Sequence, residues 1–144
     1  MNINTSIIVA GDMNEFVQTR SVFRSFNNIL TDINEVSGID PVERYTYVYD
    51  QNTQEIDQIF ISDAIAQRGT QVEHVHLNTW ALSYNGRASD HDPTVAKVWV
   101  CDPEELDEGV SELLCVVVKV LIRTGVSVLG LPQLNYAQTV LKQT

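Results

Sequence analysis

Basic residues are scarce in this chain. Nine lysines and arginines stand against nineteen aspartates and glutamates, a formal net charge of −10 over 144 residues. A surface that acidic repels a polyanion on average, which argues against a dedicated DNA-binding module with its basic face. An enzyme that handles phosphate through a bound cation stays open, because the ion inverts the local charge. Cysteine is equally sparse. Cys101 and Cys115 form the single possible pair, which says nothing about compartment. They pair only if the segment after Pro103 turns back, so two reduced, buried thiols are the default expectation. Long apolar runs are missing as well. The most apolar run, LLCVVVKVLI at 113–122, holds ten residues, with Lys119 inside it and Glu112 and Arg123 as flanks. It is too short and too charged to cross a bilayer. The opening stretch MNINTSIIVAGDMN has no basic segment followed by an apolar one, so no signal peptide is expected.

What is present describes a globular domain. Hydrophobic residues make up 44% and charged residues 19%, and the length suffices for one domain with a core. Residues 6–10 read as a buried strand. In EFVQTRSVFRSFN (15–27), Phe16, Val22, Phe23 and Phe26 fall near one helical face, which predicts an amphipathic helix capped by Asp12 or Asn14. Residues 29–36 form a short helical or irregular link, broken by SGIDP. YTYVY (45–49) is a strand by aromatic and β-branched content, DQNTQ a turn, and IDQIFI (56–61) its hairpin partner. VEHVHL (72–77) and TVAKVWV (94–100) are further strands, separated by a long polar loop. After Cys101 the composition changes. DPEELDE (102–108) carries five acids in seven positions and suits a solvated helix start. A helix to about Arg123 and a short one over 133–142 are expected, with no internal repeat.

Three short stretches carry the chemistry. In GDMN (11–14), Asp12 and Asn14 are two apart, so on an extended chain they project the same way. An acid beside an amide suits a phosphate or a metal-bound water. In EIDQIF (55–60), Asp57 shares a strand face with Ile59 and Ile61. It requires a partner or an ion there, unless that face is the solvent side of an edge strand. In SDHDP (89–93), Asp90 can ligate a cation while His91 acts as a base, provided another carboxylate orients the imidazole. Asp57 is the candidate for that carboxylate. The plain alternative is a loop with a chance acidic pair around a histidine. His74 and His76 also stand two apart, but no third and fourth ligand is near, and they read as polar residues on a strand's open face. Arg87, just before SDHDP, is either a phosphate contact or a solvated loop arginine.

In this order the three stretches resemble the endonuclease/exonuclease/phosphatase family, which includes deoxyribonuclease-I-like nucleases. The family pattern is GD-[FLM]-N, then [IL]-D-x-[IL] in a strand, then S-D-H-x-P. RYTYVYDQNTQEIDQIFIS (44–62) looks like the hairpin of the secreted-nuclease branch, and the resemblance covers roughly residues 6–100. Gln58 departs from it, standing where many relatives carry histidine, and it points away from Asp57. The resemblance implies metal-dependent phosphodiester hydrolysis with Mg²⁺ or Mn²⁺. Asp12 would contact the attacking water or the leaving oxygen, and Asn14 would donate to a phosphoryl oxygen. Asp57 would hold the ring of His91, the base or charged stabiliser. Asp90 would hold the metal, Ser89 would shape the loop, and Arg87 would meet substrate phosphate.

The family domain has two halves, each a sheet with its helices, packed as a four-layer α/β sandwich. The match starts in the second half. It therefore implies an α/β (α+β) fold over residues 1–101, mainly an antiparallel or mixed sheet with flanking helices. Residues 102–144 would be a helical extension of uncertain origin. The first half would supply an asparagine, a metal-binding glutamate and a further histidine. The expectation is a weak or inactive half-site with nucleic acid or another phosphodiester as substrate. The alternatives are a non-catalytic fragment or pseudoenzyme that self-associates or complements a first half, and a phosphatase acting on inositol phosphates or phospholipid headgroups.

Overall fold

The run IIVAGD forms strand β1 (Ile7–Asp12), and its alternation decides how the sheet packs. The computed structural model describes residues 5–16, 21–100, 117–122 and 127–130. Strand β5 (Asp57–Ser62) runs antiparallel to β1, with Ile8 opposite Ile61, Ala10 opposite Ile59, and Asp12 opposite Asp57. Strands β2 (Leu30–Asp32) and β9 (Ser127–Gly130) complete a sheet of order β2-β5-β1-β9. A second sheet contains β6 (Thr70–His74), β7 (Thr94–Trp99) and β8 (Val117–Ile122), paired antiparallel in that order. Between β2 and β6 lies a hairpin of β3 (Tyr47–Tyr49) and β4 (Asn52–Gln54).

One core joins the two main sheets. Ile8, Ala10, Ile59 and Ile61 meet Ala96 and Val98 of β7, with Ile33 and Ile65 at the side. Burying each isoleucine contributes roughly 1.5–3 kcal/mol. Ile33 comes from helix α1 (Ile33–Ser37) and Ile65 from α2 (Asp63–Ala66). Helix α1 starts at Asp32, whose side chain accepts from the Asn34 N–H, and ends at Gly38 in the left-handed region at φ +66°. A glycine suits that terminus because it has no Cβ to clash. The opposite face of β5 presents Phe60, which packs against Phe23 and Phe26 with ring centroids 4.9 and 5.1 Å away.

The architecture is thus a small mixed α/β domain of mostly antiparallel strands with few helices. Several expectations change. Within 15–27 the described residues form a 3-10 turn over Val22–Phe26; residues 17–20 lie outside those described. The phenylalanines that suggested a helix reach Phe60 from that turn. The hairpin partner of YTYVY is Asn52–Gln54, while β5 leaves to pair with β1 and β2. A buried, isoleucine-rich strand satisfies both edges at the centre of a sheet, which a two-stranded hairpin does not allow. The helix expected up to Arg123 is replaced at 117–122 by β8. Valines and isoleucine crowd a helix and fit a pleated sheet. Both β8 and β9 pair with strands of the first hundred residues. Residues 102–116, including Cys115 and the acidic run, lie outside the described residues, as do Cys101 and 133–142.

Buried polar bonds tie α1 to the second sheet. His74 is buried and bonds Thr94 Oγ1 through Nδ1 at 2.9 Å, while its Nε2 donates to Asn34 Oδ1 at 2.9 Å. Asn34 in turn donates to Glu55 at 2.7 Å. Burial, aided by nearby His76 and Arg44 and opposed by Asp92, lowers the His74 pKa from 6.5 to about 4. Between those values the unfolded chain takes up a proton that the folded chain refuses. Stability therefore falls as pH drops from about 6.5 to about 4, by roughly 3 kcal/mol from this residue, and this loss stops growing below that window. The melting temperature of the wild type should fall more steeply across this range than that of His74→Gln. Parallel profiles for the two proteins would contradict the assignment.

Candidate functional site

The buried rows of β1 and β5 end in carboxylates. Continuing Ile8–Ala10 by one step gives Asp12, and continuing Ile61–Ile59 gives Asp57 directly opposite. Like charges at facing positions destabilise a sheet, so this rung calls for compensation. Asp57 is only 2% exposed. Its Oδ2 accepts from Thr46 Oγ1 at 2.6 Å and from His91 Nδ1 at 2.7 Å. Asp12 is half-buried at the strand's end, and its Oδ1 accepts from the Asn14 N–H at 2.9 Å. Ligand atoms of Asp12, Asp57 and His91 lie within 4.8 Å of one another. Three stretches distant in sequence thus meet at one point.

The geometry assigns different tasks inside this trio. A carboxylate only accepts, so His91 carries its proton on Nδ1 toward Asp57. That bond fixes the tautomer and leaves Nε2 as the nitrogen able to accept a proton. It also occupies the nitrogen that faces Asp57. The trio is therefore an Asp–His dyad beside a second carboxylate, rather than a three-ligand metal cage. Cations would meet the oxygens of Asp12 and Asp57, hard donors suited to Mg²⁺ or Mn²⁺.

The remaining candidates stand apart. Asn14 is exposed with φ +50°, because β1 ends at Asp12 and the chain turns there. Strand alternation therefore does not extend to Asn14, and its expected alignment with Asp12 is lost. The Asn14 N–H caps the Asp12 carboxylate instead. Asp90 is exposed, with Ser89 Oγ 3.5 Å from its Oδ1, and is not one of the trio. The Ser89 hydroxyl accepts from the His91 N–H at 3.1 Å, so Ser89 does shape the loop. Arg87 lies over the Tyr84 ring, 5.9 Å from its centroid. Gln58 is buried on the opposite face of β5, where its amide donates to the carbonyls of Glu15 and Glu55.

Asp92 is the residue that sequence reasoning passed over. It is 2% exposed and gathers four donors. Its Oδ1 accepts from the Asn78 and Thr79 N–H groups at 2.7 and 2.9 Å. Its Oδ2 accepts from His76 Nδ1 at 3.0 Å and from the Thr79 hydroxyl. Burial alone raises its pKa, but the bonds from Thr79, His76 and Asn78 outweigh that and hold it below the usual carboxylate value. The Asp92 N–H donates to Thr46 O at 2.6 Å, and Asn78 Nδ2 donates to His91 O at 2.6 Å. Asp92 thus fixes the loop that carries His91 and ties it to the residue that holds Asp57. One signal in the sequence pointed there. Asp92 has the same parity as Thr94, Ala96 and Val98, the buried positions of β7. His74 and His76 are likewise buried rather than on an open face, and β6 ends at His74, before His76.

Protein-family models, curated proteins and solved structures were all searched, and none matches this chain.

Removing the Asp92 carboxylate strands His76, the buried Asn78 N–H and the partly buried Thr79 N–H. Asp92→Ala should cost about 2–4 kcal/mol in denaturant unfolding and speed protease cleavage within 77–90. Asp92→Asn, which keeps one acceptor oxygen, should lose less. Wild-type stability in Asp92→Ala would contradict the role given to this carboxylate.

Proposed function

We propose that this chain has the site of a metal-dependent phosphodiesterase of the nuclease type. The observation that carries the proposal is the convergence of Asp12, Asp57 and His91 within 4.8 Å, in the pairing the motifs anticipate. In this reading the two sheets are the C-terminal half of a four-layer α/β sandwich of the endonuclease/exonuclease/phosphatase family. His91, oriented by Asp57, takes a proton from the attacking water through Nε2, or stabilises the phosphoryl charge once protonated. Asp12 orients that water or the leaving oxygen. Asn14, at the exposed mouth, donates its amide to a phosphoryl oxygen. Asp12 and Asp57 are the residues that would hold Mg²⁺ or Mn²⁺, with Asp90 at the rim. The cation would neutralise charge on the phosphoryl oxygens.

A second reading is a non-catalytic module or complementing half. One observation favours it: Asp57 Oδ2 already accepts from both Thr46 Oγ1 and His91 Nδ1, which leaves that oxygen little capacity for a cation. No helix among the described residues is long and apolar enough to cross a membrane.

The test is plasmid nicking by the purified chain with Mg²⁺ or Mn²⁺. Nicking should stop in EDTA and fall about 10²–10⁴-fold in His91→Ala, assayed well below the melting temperature of that variant, which the loss of a donor to buried Asp57 lowers. Undiminished nicking in His91→Ala would overturn the assignment. No nicking by the wild type would favour the non-catalytic reading. Release of inorganic phosphate from a phosphomonoester, without nicking, would move the substrate to the phosphatase class.

A further inference from the structure

An aromatic rim borders the dyad. Tyr47 pairs with His91 through an isolated bridge, and their rings sit 4.8 Å apart. Two residues earlier, Tyr45 lies flat on His76, centroids 4.0 Å apart and planes 7° from parallel. Trp80 packs on the same imidazole at 5.3 Å, and its Nε1 donates to the Tyr45 hydroxyl at 2.8 Å. The contacts are continuous, because His76 holds Asp92, the neighbour of His91 in sequence. Tyr49, Trp80 and Tyr84 are 64%, 70% and 77% exposed. Leu77 and Leu82 are exposed on the same loop. In residues 77–89 the one charged side chain is Arg87.

Large exposed rings beside a site for phosphate chemistry call for a ligand with flat faces. The chain's charge of −10 deprives a nucleic acid of the counterion-release affinity that basic proteins enjoy. Affinity then depends on stacking, which gives roughly a tenfold gain or more per base. Bases within a duplex have their faces covered, whereas unpaired bases present them.

We propose that the substrate of this site is a single-stranded nucleic acid, its unpaired bases stacked on Tyr47, Tyr49 and Trp80 beside the His91 dyad. The proposal rests on the phosphodiesterase reading and names its substrate class. Rings with polar edges, Tyr47 packed on His91 and Trp80 held by His76 and its hydrogen bond to Tyr45, suit bases better than the aliphatic prongs that enter a lipid surface.

The test is fluorescence anisotropy of a labelled oligothymidylate and of the corresponding duplex with the full chain in EDTA. The single strand should bind about tenfold or more tighter than the duplex. Trp80→Ala should lose about tenfold of that affinity, and Trp80→Phe should retain it. Equal affinity for the two forms would overturn the proposal, as would binding to phosphatidylcholine vesicles without oligonucleotide binding. Hydrolysis of methyl nitrophenyl phosphate, measured separately with Mg²⁺, keeps the two readings apart. Single-strand preference without hydrolysis contradicts the phosphodiesterase reading alone. Hydrolysis without that preference contradicts the proposed substrate alone.

Discussion

The register of β1 against β5 is the constraint on which the site depends. Pairing Ile8 with Ile61 and Ala10 with Ile59 makes the core face, and the same register sets Asp12 opposite Asp57. A slip of one residue would turn the isoleucines to the other face and expose them. Hydrophobic burial therefore enforces the juxtaposition of two carboxylates that repel each other. The core supplies the free energy, and the end of the rung concentrates the negative charge. His91 relieves part of that repulsion through Asp57, and Thr46 satisfies the same oxygen.

His91 depends on a second, structural pair. Asp92 and His76 are buried together, and the loop from Asn78 to His91 closes around them. The two dyads have the same chemistry but different environments. In His91–Asp57 the imidazole is partly accessible, with side-chain exposure of 13%. In His76–Asp92 the imidazole is sealed beneath Tyr45 and Trp80, with side-chain exposure of 5%. Accessibility separates the candidate for chemistry from the one that serves the loop. The third histidine, His74, is neutral and bonded at both nitrogens, and serves the packing of α1 on the second sheet.

Much of this was legible in the sequence. The apolar runs of β1, β5 and β7 marked the strands, and an aspartate in phase with Ile59 and Ile61 marked a carboxylate in need of a partner. The pairing of Asp57 with His91 followed from that demand. Other features depend on long-range pairing that local pattern does not encode. YTYVY takes its partner from the next three-residue segment because β5 is claimed by β1 and β2. Residues 117–122 read as helix from an acidic, proline-led start, yet their backbone pairs along β7 as β8. Asn14 escaped the alternation because the strand stops at Asp12. Asp92 was overlooked because the same five residues hold a more exposed acid and a histidine that look more like chemistry.

The proposed function requires Asp12, Asp57 and His91 to respond together to a cation. The direct measurement is a titration of the ¹⁵N-labelled protein with substoichiometric Mn²⁺, read as paramagnetic broadening of the histidine ring signals. His91 should broaden well before His74 and His76, and Asp12→Asn should abolish that selectivity. Even broadening of all three histidines, or selective broadening that survives in Asp12→Asn, would contradict the account.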